Sequence, residues 1–465
     1  HDQINRYKKF QDKYDNYDPE IHEKLLDFID RKDFLSIQKL FKDLNPADIS
    51  NVLIRYNEEE ICKILSALDA NISSEIILEL PEDIRTNILR ILDSKSILNV
   101  VEELESDDAT DLISELDEKK SKEILENMNP QDSSEVQALL QYGEDTAGGI
   151  MQTELVEVKD SSIIKDAINW IRLIANDVPD FYLIYVTNEN DKLVGYVSLR
   201  NLILADPGSR INTIMEEIEV SVPPYLDQEE VSIIFANYNI VSLPVVDENQ
   251  KLLGRITSDD IIDVITEEAE EDIYSLAGVG EYNHPIYSSF FSKTRSRLPW
   301  LLITLLGEIV IAFIISIYFS GTLENFILLA AFMPAVMATG GSVGIQTSAI
   351  IIRALGMGTI NTSQAVKVIF SELKLSLVLG AICGLIAGLS GFYINGDAQY
   401  GFKFFTVIFF SLSLASVMSA IFGAAFPLIL NKLKMDPANG SGPFVTMAND
   451  MFSAISYLFI ALLII

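Results

Sequence analysis

Apolar positions follow three successive rhythms along the chain. From residue 44 an apolar residue returns every twelve positions, at Leu44, Tyr56, Leu68, Leu80, Leu92, Leu104, Leu116, Met128 and Leu140. The next residue is Asn45, Asn57, Asp69, Pro81, Asp93, Glu105, Asp117, Asn129 or Gln141. Most of these are types that start helices, because a short polar side chain accepts from the free N–H groups of the first turn. Short capped helices of about eight or nine residues, stacked as hairpins, give that period and predict an all-α superhelix. The second rhythm is a pair of copies. "ENDKLVGYVSLRNLI" (Glu189–Ile203) matches "ENQKLLGRITSDDII" (Glu248–Ile262) at an offset of 59. Before them, "FYLIYV" and "VSLPVV" are short runs rich in β-branched and aromatic residues, which predict strands. The shared Gly-x-x-Ser/Thr pattern predicts a strand, a tight turn and a helix start, so this stretch is α/β.

The third rhythm is five long apolar runs, at about Leu298–Phe319, Phe326–Ile352, Leu375–Tyr393, Phe404–Leu430 and Phe444–Ile465. A bilayer core of ~30 Å needs roughly 20 helical residues, so each run suffices to span. Charge then separates the chain into two regimes. After Ser292 stand nine Lys/Arg and six Asp/Glu; up to Ser292 stand 25 and 61, within a total formal charge of −33. An acidic part is thus joined to a membrane part, and its excess negative charge excludes nucleic acid and anionic lipid as partners unless cations intervene. Lys293, Arg295, Arg297, Arg353, Lys367, Lys374, Lys432 and Lys434 fall on one side of the five spans and Lys403 on the other. The bias places the acidic part in the cytoplasm and the carboxy terminus outside. Cys62 and Cys383 lie in different halves, so no disulfide framework is expected. No cleavable signal precedes the acidic part, and a chain that starts at His1 is expected to have lost its natural start.

Particular residues carry candidate chemistry. Asp450 lies inside the last span with no basic residue nearby. An ionised carboxylate there costs several kcal/mol unless it faces water or a partner, which makes it a functional candidate. Gly340, Gly341, Ser342, Gly344, Gln346 and Thr347 form a small and polar patch in the second span, shortly after Pro334. They are read either as pore lining or as close helix packing. Thr446 shares the face of Asp450 by i, i+4 spacing, and Asn449 precedes it. Glu308 is the acid of the first span; it is read as neutral, as a proton site for a coupled carrier, or as reaching the cytoplasmic interface. The three histidines, His1, His22 and His284, lie outside the spans, no catalytic or phosphate-binding motif occurs, and Cys383 has no soft-metal partner. An enzyme is not expected.

The paired copies resemble a tandem of CBS domains, over about Ile150–Thr266, a regulatory module that often binds adenine nucleotides. With the acidic helical repeat before it and five spans after it, the chain resembles the MgtE magnesium channels and transporters. Four strings support this in order: "EDTAGGIM" (Glu144–Met151), "RLPWLL" (Arg297–Leu302), "GGSVGIQTSAIIIRAL" (Gly340–Leu355) and "DPANGSGPFVTMAND" (Asp436–Asp450). The resemblance implies a multidomain membrane protein. Its parts would be a polar segment 1–20, an acidic helical domain 21–143, CBS domains 144–266, a connecting plug helix and linker 267–297, and a five-helix membrane domain 298–465.

It further implies a homodimer in the cell membrane that takes up Mg2+, with Asp450 as the pore ion site. Gly340, Gly341, Ser342, Gln346, Thr446 and Asn449 would line the pore. Mg2+ bound among the cytoplasmic parts would close it. By motif, the regulatory ligands would be Glu75, Asp107 and Asp111 in the helical domain and Asp227 and Glu229 on a CBS helix. Asp260, Asp263, Glu268, Glu271 and Asp272 would serve on the stretch toward the membrane, and Asp436 in the last inner loop. Three positions depart from the family pattern. Asn239 stands where Asp is common, Asn201 where an Asp would bind a ribose hydroxyl, and Ser342 where Asn is usual. Glu308 matches no family site. ATP, if bound, would meet Tyr182, Arg200 and Asn201. Two other readings stay open: a proton- or sodium-coupled divalent-cation carrier, and a membrane-anchored Mg2+ sensor.

Overall fold

The computed structural model describes residues 25, 27, 28, 31, 33–41, 44–175, 178, 181–279, 290–359, 365–395 and 398–465. The polar segment 1–20, His1, His22 and His284 lie outside them. The described chain forms two compact units that meet at Val264–Ile265.

In the first unit the twelve-residue period becomes helix starts. After α1 (Phe34–Phe41) come α2 (Pro46–Leu53), α3 (Glu58–Leu65), α4 (Ala70–Leu78), α5 (Glu82–Ile91), α6 (Ser94–Val101), α7 (Ser106–Ser114), α8 (Glu118–Asn127) and α9 (Pro130–Leu139). From α2 onward each begins twelve residues after the last. Asn45, Asn57, Asp93, Asp117 and Asn129 accept backbone N–H bonds at their helix starts, and Asn57 forms a reciprocal capping box with Glu60. Satisfying those orphan donors lets helices this short exist, since isolated ones are marginal. The packing differs from simple hairpins. α2, α4, α6 and α8 pack in one row, as do α3 with α5 and α7 with α9. Burial of Ile49, Leu53, Ile61, Ile76, Ile88, Ile97 and Leu112 makes one continuous core between the rows.

The paired copies follow. The first holds β1 (Glu157–Lys159), α10 (Ile164–Ile174), β2 (Leu183–Thr187), β3 (Leu193–Ser198) and α11 (Leu199–Leu204). Its sheet has the order β1-β2-β3, parallel then antiparallel. The second holds α12 (Gln228–Tyr238) and the antiparallel pair β4 (Ser242–Val246) and β5 (Leu252–Thr257), then α13 (Ser258–Leu276). Each copy has its own apolar core. No separate turn divides strand from helix. Ser198 ends β3 and caps α11 by accepting from the Asn201 N–H, and the Asp260 carboxylate accepts from Thr257 N and Oγ1 at the start of α13. Polar caps do the work of the expected turn.

The second unit takes the end of α13 and the long helices α14 (Phe290–Tyr318), α16 (Ile327–Gly356), α17 (Ala365–Asn395), α18 (Ala398–Lys432) and α19 (Ser441–Ile464), with the short α15 (Ser320–Asn325) after α14. Five are long and apolar enough to cross a membrane. They outrun most of the apolar runs because polar residues extend them by a turn or more. α16, α18 and α19 pack on one another, α17 lies on α18, and α14 lies on α19. Small residues set these contacts. A Cβ at Gly423 would strike the Gly344 carbonyl, and one at Gly380 would meet Ser413 and Ser416. Close backbone approach of this kind holds helices together where lipid offers no hydrophobic drive.

Candidate ion sites

Asp450 lies one-third along α19, on the side that meets α14 and α16. Its neighbour Asn449 is buried and fixed. Asn449 Nδ2 donates to the Met337 carbonyl at 3.1 Å and to Asp450 Oδ1 at 3.1 Å, while its Oδ1 accepts from Ser453 Oγ at 3.0 Å. Gly340 leaves the room for this, since a Cβ there would press on Asn449 Oδ1. Asn449 and Gly340 therefore meet inside the helix contact and hold Asp450 from behind. Gly341 is also buried. Ser342 and Gln346 stand on an open face, and Ser342 Oγ donates back to the Ala338 carbonyl. Thr446 is half-buried. Thr347 is buried and donates to Glu372 of α17 at 3.3 Å. Tyr457 locks the same interface by donating to the Leu329 carbonyl at 3.0 Å.

A second group forms at the start of α7. Ser106 donates through N–H and Oγ to Glu154, at 3.1 and 2.7 Å, so a carboxylate from the following α/β part caps a helix of the repeat. Gln152 Nε2 donates to Glu105, and Arg255 donates to Gln152 Oε1. Around this joint the carboxylates crowd. Burial, then the charges of Asp108 and Asp260, pushes the Asp107 carboxyl well above the usual range. Asp108 is pushed up to about 7 by burial, then by Asp260 and Glu105, with Arg85 opposing. Glu105 is raised by burial and Glu154, and Asp260 by burial against the lowering effect of its Thr257 bonds. Asp263 is raised by burial and by Asp259, and Glu79 by burial and by Asp263.

The sequence-based candidates divide here. Asp107, Asp260 and Asp263 stand in or beside this group. Asp111 and Glu75 are exposed, and Glu79, one turn after Glu75 and just past the end of α4, is the residue that feels Asp263. Asp108, Glu105 and Glu79 are the members that the sequence reading passed over. The SDD string was a signal for Asp108; nothing local marked Glu79. Asp227 caps α12 by accepting from the Glu229 N–H at 2.9 Å, so both serve that helix start. In the second unit Asp272 is pushed up to about 6 by burial and by Asp436, with Arg353 opposing. Glu268 and Glu271 lie on the same helix. Among the described residues no three His, Cys, Asp or Glu side chains converge as a preformed metal-binding set.

In the first α/β copy Tyr182 and Arg200 are exposed, while Asn201 Nδ2 donates to Glu216 Oε1 at 2.7 Å. Glu216 also accepts from Tyr196 OH.

Comparison with known proteins matches residues 333–460 to the family model described as a divalent cation transporter, 44–145 to the MgtE intracellular N domain, and 147–208 and 211–267 to CBS domains. The chain is 36% identical over 326 residues to the magnesium transporter MgtE of Bacillus subtilis, covering 70% of this chain and 71% of that one. It is 35% identical over 334 residues to the magnesium transporter MgtE of Thermus thermophilus, covering 71% and 73%. A crystal structure of the cytosolic domain of the Mg2+ channel MgtE in complex with ATP superposes with a TM-score of 0.50 at 31% identity. It covers 52% of this chain and 99% of that one.

Proposed function

The chain belongs to the MgtE family of divalent cation transporters, and on that premise we propose that it carries Mg2+ across the cell membrane as a homodimer, along a path that passes Asp450. The family is one of transporters rather than enzymes, which agrees with the lack of catalytic motifs. The observation that carries the reading is a carboxylate set within an apolar helix and aimed by Asn449, whose own bonds tie it to α16. Such a fixed carboxylate suits a cation that stays largely hydrated, because Mg2+ is then held through its water shell by few protein charges. Ser342, Gln346 and Thr446 would offer oxygens to that shell. The bias of basic residues supports a cytoplasmic first unit and an outward carboxy terminus.

In this reading the acidic groups are the closing signal. Carboxylates of α7 and α13 repel when cation is scarce, and Mg2+ among Asp107, Asp108, Asp260 and Asp263 favours their close approach, a population shift toward the closed path. Asp272 and Asp436 act alike near the membrane helices. ATP is a finer part of the proposal, supported by the nucleotide in the similar cytosolic domain. Here a ribose would compete with Glu216 for Asn201, so affinity should be weak.

Mg2+ flux into liposomes with low internal Mg2+ tests the reading, comparing wild type with Asp450→Ala. Loss of flux in an assembled Asp450→Ala protein supports it. Equal flux in both would move the path elsewhere.

A further inference from the structure

The sequence leaves Glu308 between a neutral group, a proton site and an interfacial one, and the fold gives it a partner. α14 packs on α19, and at Gly307 the two come so close that a Cβ would overlap the Met447 side chain. That glycine brings the next residue in: the Glu308 carboxyl lies within hydrogen-bonding reach of the Asp450 carboxyl. Around it α14 turns Leu305, Leu306, Ile309, Val310 and Phe313 outward, so Glu308 shares the inward side with buried Ile311. Asn449 already holds Asp450 Oδ1. Neither residues 298–352 nor 441–465 contain a Lys or Arg. The chain thus brings two carboxyl groups face to face between stretches of helix that carry no Lys or Arg.

We propose that Glu308 is a second carboxylate of the cation path, and that with Asp450 it sets the preference for a divalent over a monovalent cargo. The inference rests on the pore reading of Asp450 and deepens it. With a cation between them Asp450 and Glu308 offer two negative charges per protomer, which a single divalent ion offsets, where Asp450 alone offers one. Coulomb attraction scales with the product of charges, so the second carboxylate favours Mg2+ over Na+ more than it favours binding in general. Two carboxylates are also within what Mg2+ accepts while keeping several waters.

The test is Mg2+ flux in liposomes as a function of external Mg2+, with and without excess Na+, for wild type, Glu308→Gln, Glu308→Asp and Asp450→Asn. Glu308→Gln keeps the shape and the hydrogen-bonding reach but not the charge. The expected result is a half-saturating Mg2+ concentration raised roughly tenfold, with Na+ now competing. Glu308→Asp, which keeps the charge on a shorter arm, should fall between the two. Glu308→Gln matching wild type in both half-saturation and Na+ competition would overturn the proposal, since a neutral or merely packing Glu308 predicts that result. Should Glu308→Gln not assemble, Glu308→Asp decides: a raised half-saturation with intact assembly supports the proposal, and an unchanged one overturns it. Normal flux in Asp450→Asn would instead overturn the pore reading beneath it.

Discussion

In the unit that ends at Val264, carboxylates from neighbouring elements stand against one another around Ser106, Glu154 and Thr257; in the unit that follows, the core of the long helices meets carboxylate at Asp450 and Glu308. The first region tolerates charge because its helices are short, capped and edged by water. Its acids can be neutralised gradually, by protons or by cations. The second has no such freedom: its helices are held by glycine and serine contacts, and each carboxylate needs a specific partner. Dependence on ions should therefore be graded in the first region and all-or-none in the second.

The largest expected effect breaks the second region by shape alone. Gly423→Leu places a side chain against the Gly344 carbonyl in the α16–α18 contact. No rotamer relieves a clash with backbone, so the variant should fail to yield an assembled protein, as read by size-exclusion chromatography in detergent. A normally assembled Gly423→Leu would mean that this interface is looser than its glycines imply.

The next effect is electrostatic and belongs to the first region. Burial raises the carboxyl groups of Asp107, Asp108 and Asp260; Asp108 and Asp260 add to it at Asp107, Asp260 and Glu105 at Asp108, and Asp259 and Asp263 at Asp260. A raised folded value means that the folded form holds protons which the unfolded chain releases. The stabilisation is therefore full at low pH and is lost as pH climbs from the ordinary carboxylate range through about 7, the value for Asp108. In EDTA the melting temperature of the protein should drop on the order of 5 °C between pH 5 and pH 8. Mg2+ should flatten that slope, and joint replacement of the three by Asn should reduce both the slope and the Mg2+ response, leaving the part carried by Glu105, Asp263, Glu79 and Asp272. A slope and a Mg2+ response unchanged by the triple replacement would place the ion response outside these three residues.

The same contrast explains what could be read from sequence. Most helix starts from α2 to α9 were legible because capping is local: an Asn or Asp after an apolar anchor states the start on its own, while at Pro81 and Glu105 the twelve-residue period carried it. Gln141 breaks the series because the chain turns away at Tyr142 and Gly143 instead of starting another helix. The five long helices were legible from hydropathy, and Asp450 from its isolation. What stayed hidden depended on helix rotation. Spacing put Asp107 and Asp111 on one face, but i and i+4 still differ by about 40° of rotation, and the burial boundary of α7 falls between them. The same uncertainty hid Glu79 behind Glu75. Glu308 was visible as a residue, but its meeting with Asp450 is set by the contact of Gly307 with Met447, which no local pattern states.

A smaller effect tests the local rule. Asn57→Ala removes the side-chain half of a capping box at α3, the bond Asn57 Oδ1 accepts from the Glu60 N–H, and keeps the backbone N–H that donates to Glu60. It should cost about 1 kcal/mol in the first unit, read by urea unfolding, and leave Mg2+ flux through the second unchanged. A flux change would show that cap stability in the repeat already feeds the transport path.

The smallest effect separates backbone strain from charge at one position. Asn239 ends α12 with φ +50°, in the left-handed region, and its N–H donates to the Phe235 carbonyl. Asn tolerates that conformation better than most residues, whereas a side chain such as Ala pays roughly 1 kcal/mol for it. Where the family commonly carries Asp, this chain thus keeps the left-handed cap and gives up the charge. Asn239→Asp should alter stability by only a few tenths of a kcal/mol, because Asp shares the tolerance. Asn239→Ala should cost the full strain. If the missing charge weakens cation binding in this copy, Asn239→Asp should also lower, by about threefold, the Mg2+ concentration that protects the first unit from proteolysis, while Asn239→Ala should leave that concentration alone. Equal protection curves for all three would mean that position 239 matters only as a cap, and that the cation response belongs to α7 and α13.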